Sequence, residues 1–130
     1  MDMKLELVPV PVTDVDRAKD FYERLGFHLD VDVRPRDGMR VVQLTPPGSA
    51  CSIVIGTGLG EITEIPPGTI RGLHLVVDDI AQARDDLLQR GIDVDPINDV
   101  GGGVRFARIA DPDGNSLLLQ QMDWRTGDAF

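Results

Sequence analysis

Apolar side chains follow two different spacings in the first third of the chain. Between residues 15 and 25 they recur at helical spacing, which predicts an amphipathic helix. After Gly26 they alternate with polar residues, which predicts a strand packed on one face. The helix stripe comprises Val15, Ala18, Phe21, Tyr22 and Leu25, and the alternating strand residues are Phe27, Leu29, Val31 and Val33. Gly26 lies where a helix C-terminus favours a left-handed residue, so the strand is expected to follow the helix directly.

The same pattern occurs a second time. Residues 12–27 reappear 65 residues later as residues 77–92, which aligns Asp14 with Asp79. The side-chain oxygen of each Asp can cap the N-terminus of the helix that follows it. A repeat of this length indicates a duplicated structural unit.

Two further strands complete each copy. They are predicted at residues 40–45 and 51–56 in the first copy and at 104–110 and 116–121 in the second, and Gly91 is expected to lead directly into an alternating strand. Turn-forming residues at 46–49 and 111–115 separate these strand pairs. The chain therefore divides into a βαβββ module at 1–56, a connector rich in Gly and Pro at 57–70, a second module at 71–122 and a tail at 123–130.

Composition narrows the class of protein. The 130 residues suffice for one compact domain, and no apolar run approaches the length of a membrane span. The first residues lack the order of a signal peptide, so a cytoplasmic location is expected. The 22 acidic against 13 basic residues disfavour nucleic acid and anionic membranes as partners. The single cysteine, Cys51, excludes an internal disulfide and is expected to be a buried strand residue.

The order of these motifs resembles the vicinal oxygen chelate superfamily, which includes glyoxalases, bleomycin resistance proteins and dioxygenases. The resemblance rests on Thr13-Asp14 before the first helix, Phe-Tyr and Leu-Gly-Phe at its end, the second Asp-capped helix, and the Asp-Pro-Asp-Gly-Asn turn at 111–115. It implies an α+β fold in which tandem βαβββ modules form a curved eight-stranded mixed sheet around a cavity. The helices would cover the convex side of that sheet.

Metalloenzymes of this superfamily usually carry a ligand on the first and the fourth strand of each module. The first-strand positions lie seven residues before each capping Asp and are Leu7 and Gly72. The fourth-strand position after the turn at 111–115 is Leu118, which the repeat maps onto Ser52. None of these side chains is a strong ligand for a divalent metal, so neither a metal nor another cofactor is expected.

Strand residues two positions away from these four lie on the same concave face, and together they are expected to line a pocket for a small molecule. The predicted ligand-binding residues are Leu7, Pro9, Ser52, Val54, Gly72, His74, Leu118, Gln120 and Trp124, with Leu5 and Val76 on the same face as the strand residues. Trp124 and the tail after it are expected either to fold over the pocket mouth or to remain loose.

His74 is the candidate catalytic residue, because imidazole titrates near neutral pH. It could act as a general base, or it could be a hydrogen-bonded residue of the pocket wall. His28 is expected on a solvent-facing edge and Tyr22 in the core. Arg40 and Arg105 are interpreted as surface charges, and the face on which Gln43 lies is left open.

Three functions remain. The first is a metal-free protein, expected as a homodimer, that binds a small, largely apolar or aromatic molecule, as bleomycin resistance proteins do. The second is a lyase, isomerase or dioxygenase, possibly metal-independent with His74 as general base and Ser52 or Gln120 as oxyanion donors. The third is a dimerisation or regulatory module.

Overall fold

The computed structural model describes residues 1–125 and contains the elements that the repeat predicts, in the predicted order. The first module comprises β1 (Leu7–Pro9), α1 (Val15–Leu25), β2 (His28–Arg36), β3 (Met39–Thr45) and β4 (Ser52–Thr57). A 3-10 helix at Gly60–Thr63 follows, and then β5 (Leu73–Val76), α2 (Ile80–Gln89), β6 (Asn98–Gly101), β7 (Val104–Ala110) and β8 (Ser116–Met122). The prediction of a duplicated βαβββ module is therefore confirmed.

Backbone pairing gives two four-stranded mixed sheets. The strand order is β1-β4-β3-β2 in the first and β5-β8-β7-β6 in the second. In each sheet the first-listed pair is parallel and the other pairs are antiparallel. The fold class is α+β, and the eight expected strands are divided between two separately hydrogen-bonded sheets.

The chain packs as two units. The first comprises Met1–Ile70 together with Pro112–Asn115, and the second comprises Arg71–Asp111 with the described residues that follow Asn115. The connector thus packs with the first unit, and so does most of the turn between β7 and β8.

Helix α1 begins and ends where the sequence predicts. The Asp14 side chain accepts a hydrogen bond from the Arg17 backbone N–H at 3.1 Å, which satisfies one of the unpaired donors at the helix N-terminus. Gly26 has a φ of 114°, a left-handed conformation that closes the helix at little cost for glycine. The five stripe residues are the buried ones, and Tyr22 is fully buried between the rings of Phe21 and Phe27.

Helix α2 begins with the same kind of Asp cap and has one additional side-chain acceptor. Asp79 accepts from the Gln82 backbone N–H at 3.0 Å, as predicted. The side chain of Gln121 adds a second acceptor, because its Oε1 lies 2.9 Å from the Ile80 backbone nitrogen. The N-terminus of α2 is therefore tied both to its own capping residue and to strand β8.

A bulge in β2 overturns the prediction that four apolar residues share one face. Leu29 is aligned with Leu44, whereas Val31 is aligned with Gln43, so two residues of β2 advance the register by only one residue of β3. Because successive strand residues point to opposite faces, Leu29 and Val31 lie on opposite sides of the sheet. Val33 is 48% exposed, so it is not a packed residue.

The strand predicted directly after Gly91 is also wrong in position. Ile92 and Val94 are buried, as an alternating segment requires, but β6 begins only at Asn98. Pro96 lies between Val94 and the start of β6, and it has no backbone N–H to donate to a neighbouring strand. Burial therefore alternates before the strand pairing starts.

Arg40 lies inside the first unit and is not a surface charge. Its side chain is 8% exposed and donates to both carboxylate oxygens of Asp32 at 3.0 Å and to Asp16 of α1 at 2.7 Å. Lys19 of α1 also binds Asp32, at 2.8 Å. The Arg40 guanidinium and, after it, Lys19 hold the pKa of Asp32 well below its usual range. This network joins α1 to β2 and β3.

The Asp-Pro-Asp-Gly-Asn turn stabilises the first unit through side-chain hydrogen bonds. Asn115 is 1% exposed, donates to the Pro11 carbonyl at 2.8 Å and accepts from the Ile70 backbone N–H at 3.1 Å. Asp113 accepts from both the backbone N–H and the hydroxyl of Thr13. The amide of Asn115 therefore bridges the Pro11 carbonyl and the Ile70 N–H, which are far apart in sequence, and pairs buried polar groups.

Candidate functional site

Each sheet has one face packed on its own helix and an opposite face, which we call the helix-free face. In the first unit, Arg40 of β3 contacts Asp16 of α1, so the even-numbered residues of β3 face the helix. Gln43 therefore lies on the helix-free face. It is aligned with Val54 of β4, which must lie on that face too.

The four lining residues predicted in the first module share this face. Val54 is aligned with Pro9, and Ser52 with Leu7, in the parallel pair of β4 and β1. Leu5 is different, because it precedes β1 and is 71% exposed. The structure thus brings Leu7, Pro9, Ser52 and Val54 together, while their contact with a ligand stays a prediction.

The connector covers part of the helix-free face of the first sheet. A Cβ on Gly56 would lie 2.8 Å from Leu59 Cδ1, which shows how closely the connector approaches β4. The cavity left beneath it has a volume of about 30 Å³ and is lined by Pro9, Val10, Pro11, Val12, Val54, Gly56, Leu59, Ile62, Thr63, Ile65 and Pro67. Drug-sized ligands occupy roughly 300–1,000 Å³, so this cavity is too small for one and has room only for water.

The helix-free face of the second sheet is more accessible. Gln121 contacts α2, so the odd-numbered residues of β8 face the helix. Because successive strand residues point to opposite faces, Leu118 and Gln120 point away from it. The residues aligned with these two are His74 and Val76 on β5, and Arg108 and Phe106 on β7. His74 and Arg108 are exposed, and the other four are half-buried. This face combines an apolar floor with polar side chains.

Gly72 leaves room beside this face. It has a φ of 73°, which strongly favours glycine, and its backbone N–H donates to the carbonyl of Ser116 at 3.0 Å. A Cβ at this position would lie 3.8 Å from His74 Cε1 and 4.0 Å from Leu118 Cδ1. Any longer side chain at residue 72 would extend into the space next to His74 and Leu118.

The ring of His74 is oriented by the backbone. Its Nδ1 lies 2.6 Å from the carbonyl oxygen of Gly72. A carbonyl only accepts hydrogen bonds, so Nδ1 carries a proton, and in the neutral ring Nε2 is the acceptor. His74 therefore presents a fixed hydrogen-bond acceptor on the helix-free face of the second sheet.

Ser52 is part of a chain of hydrogen bonds that the sequence did not indicate. The Thr45 hydroxyl donates to the Asp30 carboxylate, which His28 Nδ1 also contacts at 2.9 Å. Thr45 has only one hydroxyl proton, so Ser52, whose Oγ lies 2.6 Å from Thr45 Oγ1, must donate to it. The Thr45 hydroxyl and then His28 hold the pKa of Asp30 below its usual value. The alignment of Thr45 with His28 in the strand register could not be read from the sequence because of the adjacent bulge.

Strand register corrects one of the four metal-ligand positions. Leu7 is aligned with Ser52, and Gly72 is hydrogen-bonded to Ser116, so Ser52 corresponds to Ser116. The fourth-strand counterpart of Leu118 is therefore Val54, because the first hairpin loop is one residue longer. The corrected set is Leu7, Val54, Gly72 and Leu118. It contains no imidazole, carboxylate or thiolate, so these positions do not fit a divalent metal.

Other donor sets are also missing from the part of the chain that the structure describes. Within residues 1–125 no three His, Cys, Asp or Glu side chains are close enough together to hold a metal ion. None of the helices in the same range has the length and apolar character needed to cross a bilayer.

The remaining site predictions have separate outcomes. Trp124 is 63% exposed in a turn after β8, and Thr126 to Phe130 lie outside the described residues. Arg105 is paired with Asp123 at 2.9 Å, at the end of the second sheet. His28 is exposed, as predicted.

Comparison with known protein families identifies the chain. The model of the Glyoxalase/Bleomycin resistance protein/Dioxygenase superfamily matches residues 4–119, which is nearly the whole sequence. The chain belongs to this superfamily. The predicted membership is therefore confirmed, and the two βαβββ modules are its expected architecture. Comparison with curated protein sequences gives no match.

Several solved structures of the superfamily are similar to the chain. An antibiotic-binding protein, TnmS3 from Streptomyces sp. CB03234, is 36% identical, with 94% of this chain and 98% of that chain covered and a TM-score of 0.80. A glyoxalase/bleomycin resistance protein from the same organism is 38% identical over 91% of this chain and all of its own, with a TM-score of 0.75. A superfamily member from Sphaerobacter thermophilus DSM 20745 is 30% identical over 92% of this chain and 98% of its own, with a TM-score of 0.79.

Proposed function

We propose that the protein binds a small, largely apolar or aromatic molecule on the helix-free face of its second sheet, without a metal. The observation that carries this proposal is the make-up of that face. Leu118 and Phe106 supply an apolar floor, while His74 and Gln120 supply hydrogen-bonding groups beside it. Such a combination is typical of small-molecule sites.

The relatives support the same function. TnmS3 is described as an antibiotic-binding protein, and more than a third of its aligned residues are identical to those of this chain. The positions at which metalloenzymes of the superfamily hold their metal carry Leu7, Val54, Gly72 and Leu118 here. Apolar side chains and a glycine at these places suit a ligand that contacts the sheet directly.

A thermal-shift screen tests the proposal. The purified protein is heated with each member of a panel of aromatic antibiotics at saturating concentration, and Tm is recorded. A ligand at one hundred times its Kd stabilises the folded state by about 2.7 kcal/mol, which raises Tm by several degrees. Leu118→Gln should abolish the shift. Leu88→Gln, at an exposed leucine of α2, is the matched control and should retain it. Failure of every compound to raise Tm would refute the proposal.

We also propose that the protein acts as a homodimer. Exposed edge strands such as β2 and β6 commonly need covering, and symmetric pairing is the most frequent solution. Light scattering should give a mass twice the 14.2 kDa of the chain. A mass of one chain at micromolar concentration would refute dimerisation but not ligand binding.

The geometry of His74 favours a second candidate, a metal-independent lyase or isomerase. The Gly72 carbonyl fixes the proton on Nδ1, so Nε2 is available to remove a proton from a bound substrate. This function would be established if the wild-type protein converts a stabilising ligand to product, while His74→Gln still binds that ligand but does not convert it. Unchanged ligand after prolonged incubation with the wild-type protein would leave the binding function alone.

A further inference from the structure

Arg108 lies on the face to which we assign ligand binding. It is aligned with Leu118 of β8, which is itself aligned with His74 of β5. Aligned residues on neighbouring strands are roughly 5 Å apart, so the Arg108 and His74 backbones are separated by about 10 Å. The three side chains form one row across the helix-free face, with a cation at one end and an imidazole at the other.

The guanidinium of Arg108 makes no hydrogen bond or ion pair with any side chain or backbone group of residues 1–125. Three other arginines of the chain differ: Arg40 binds two aspartates, Arg105 binds Asp123, and Arg84 donates to the carbonyls of residues 94 and 95. The chain has 22 acidic and 13 basic residues, so unpaired carboxylates are abundant. Even so, no described carboxylate forms an ion pair with this cation, although the Asp95 backbone N–H donates to the Arg108 carbonyl at 2.9 Å.

The neighbours of Arg108 favour an aromatic partner. Phe106 lies two residues away on the same strand and therefore on the same face, aligned with Gln120. A ring resting on Phe106 and Leu118 would place its substituents next to the Arg108 guanidinium, whose planar fork of N–H donors matches carboxylate, sulfonate and phenolate oxygens. At the other end of the row, His74 Nε2 accepts a hydrogen bond and Gly72 leaves space.

We propose that Arg108 makes the protein selective for aromatic ligands that carry an anionic oxygen group. This inference rests on the proposed binding function and adds the chemical class of the ligand. It also reverses the preference that net charge alone would suggest, since an overall charge of −9 favours cationic ligands at long range. At contact distance, the Arg108 guanidinium favours anionic oxygen groups of a ligand over cationic ones.

Two fluorescent dyes that differ in one group test the inference. Anilinonaphthalene sulfonate and phenylnaphthylamine share the same aromatic skeleton, and only the first carries an anionic sulfonate. Each is titrated against the wild-type protein and the Arg108→Gln variant, and Kd is measured from the increase in fluorescence. We expect Arg108→Gln to weaken sulfonate binding about tenfold, as loss of one charged hydrogen bond would, and to leave phenylnaphthylamine within about twofold. Arg108→Lys should restore part of the loss.

Arg34→Gln is the matched control, because Arg34 is also exposed and has no side-chain partner within residues 1–125. It should leave both dyes unchanged. The inference is overturned if Arg34→Gln weakens the sulfonate as much as Arg108→Gln does, or if Arg108→Gln affects both dyes equally or neither. Binding of neither dye also overturns it, and the thermal-shift screen then decides the binding function separately.

Discussion

Replacement of Asp32 by alanine should destabilise the first unit through a cation that loses its partner. The Arg40 side chain is 8% exposed and makes two of its three hydrogen bonds to Asp32. After Asp32→Ala only Asp16 remains as a partner, and the Asp16 side chain is 80% exposed. Lys19 also loses Asp32, its one carboxylate partner within residues 1–125.

The size of the effect follows from burial. Removing one partner of a fully buried ion pair costs about 3–5 kcal/mol, mainly because the other charge is left uncompensated. Here Asp32 is 23% exposed and Asp16 stays in place, so a cost of about 2–3 kcal/mol is expected. For a domain of this size that lowers Tm by roughly 6–12 °C. The free energy of unfolding is measured by urea denaturation monitored by circular dichroism.

The same measurement repeated across pH isolates the carboxylate. The pKa of Asp32 is lower in the folded protein than its ordinary value of 3.8, so ionised Asp32 stabilises the fold at neutral pH. That contribution is lost as pH falls from about 4 toward the folded pKa. The difference in stability between wild type and Asp32→Ala should therefore be constant from pH 6 to 8 and shrink below about pH 4.

Two variants complete this experiment. Asp20→Ala removes a surface ion pair between Asp20, whose side chain is 69% exposed, and Arg24, whose side chain is 46% exposed. It should lower the free energy of unfolding by less than about 0.5 kcal/mol. Arg40→Met combined with Asp32→Leu removes both charges of the pair and should recover most of the stability lost in Asp32→Ala. The reasoning is refuted if Asp32→Ala costs no more than Asp20→Ala, or if the double variant is less stable than Asp32→Ala.

Three further predictions concern the connector, the turn and metals. Asn115→Ala should cost about 2–4 kcal/mol, because it leaves the Pro11 carbonyl and Ile70 N–H without their buried partner; thermal unfolding measures this. Gly58→Ala should also lower Tm, since φ is 67° and a Cβ would lie 2.4 Å from the Gly38 carbonyl oxygen, and an unchanged Tm would contradict that geometry. Elemental analysis of the untagged protein should show no stoichiometric divalent metal, and a full equivalent would contradict the ligand positions derived above.

The helices could be predicted from the sequence because their signals are local. Asp14 and Gly26 fix the ends of α1 within a few residues of chain, and the stripe between them is the buried surface. The residues of the helix-free faces could also be predicted, because strict alternation along β4 and β8 carries Ser52 and Leu118 to the side away from the helices.

Features that depend on pairing between distant strands could not be predicted. The bulge that separates Leu29 from Val31 depends on how β2 aligns with β3. The alternation of apolar and polar residues along one strand does not show where an extra residue is inserted. The cover formed by Leu59 over Gly56 depends on where the connector packs, and its composition indicates only a loop. Arg40 resembles any surface arginine until the strands bring Asp32 beside it.

The discontinuous make-up of the first unit has a consequence for biosynthesis. This unit includes residues 112–115, so nearly the entire chain must leave the ribosome before Asn115 can bind the Pro11 carbonyl and the Ile70 N–H. The amino-terminal module is translated first, but its unit is completed only after residues 112–115 have been made. A fragment that ends at residue 70 would therefore lack the hydrogen bonds from Asn115 that close the first unit.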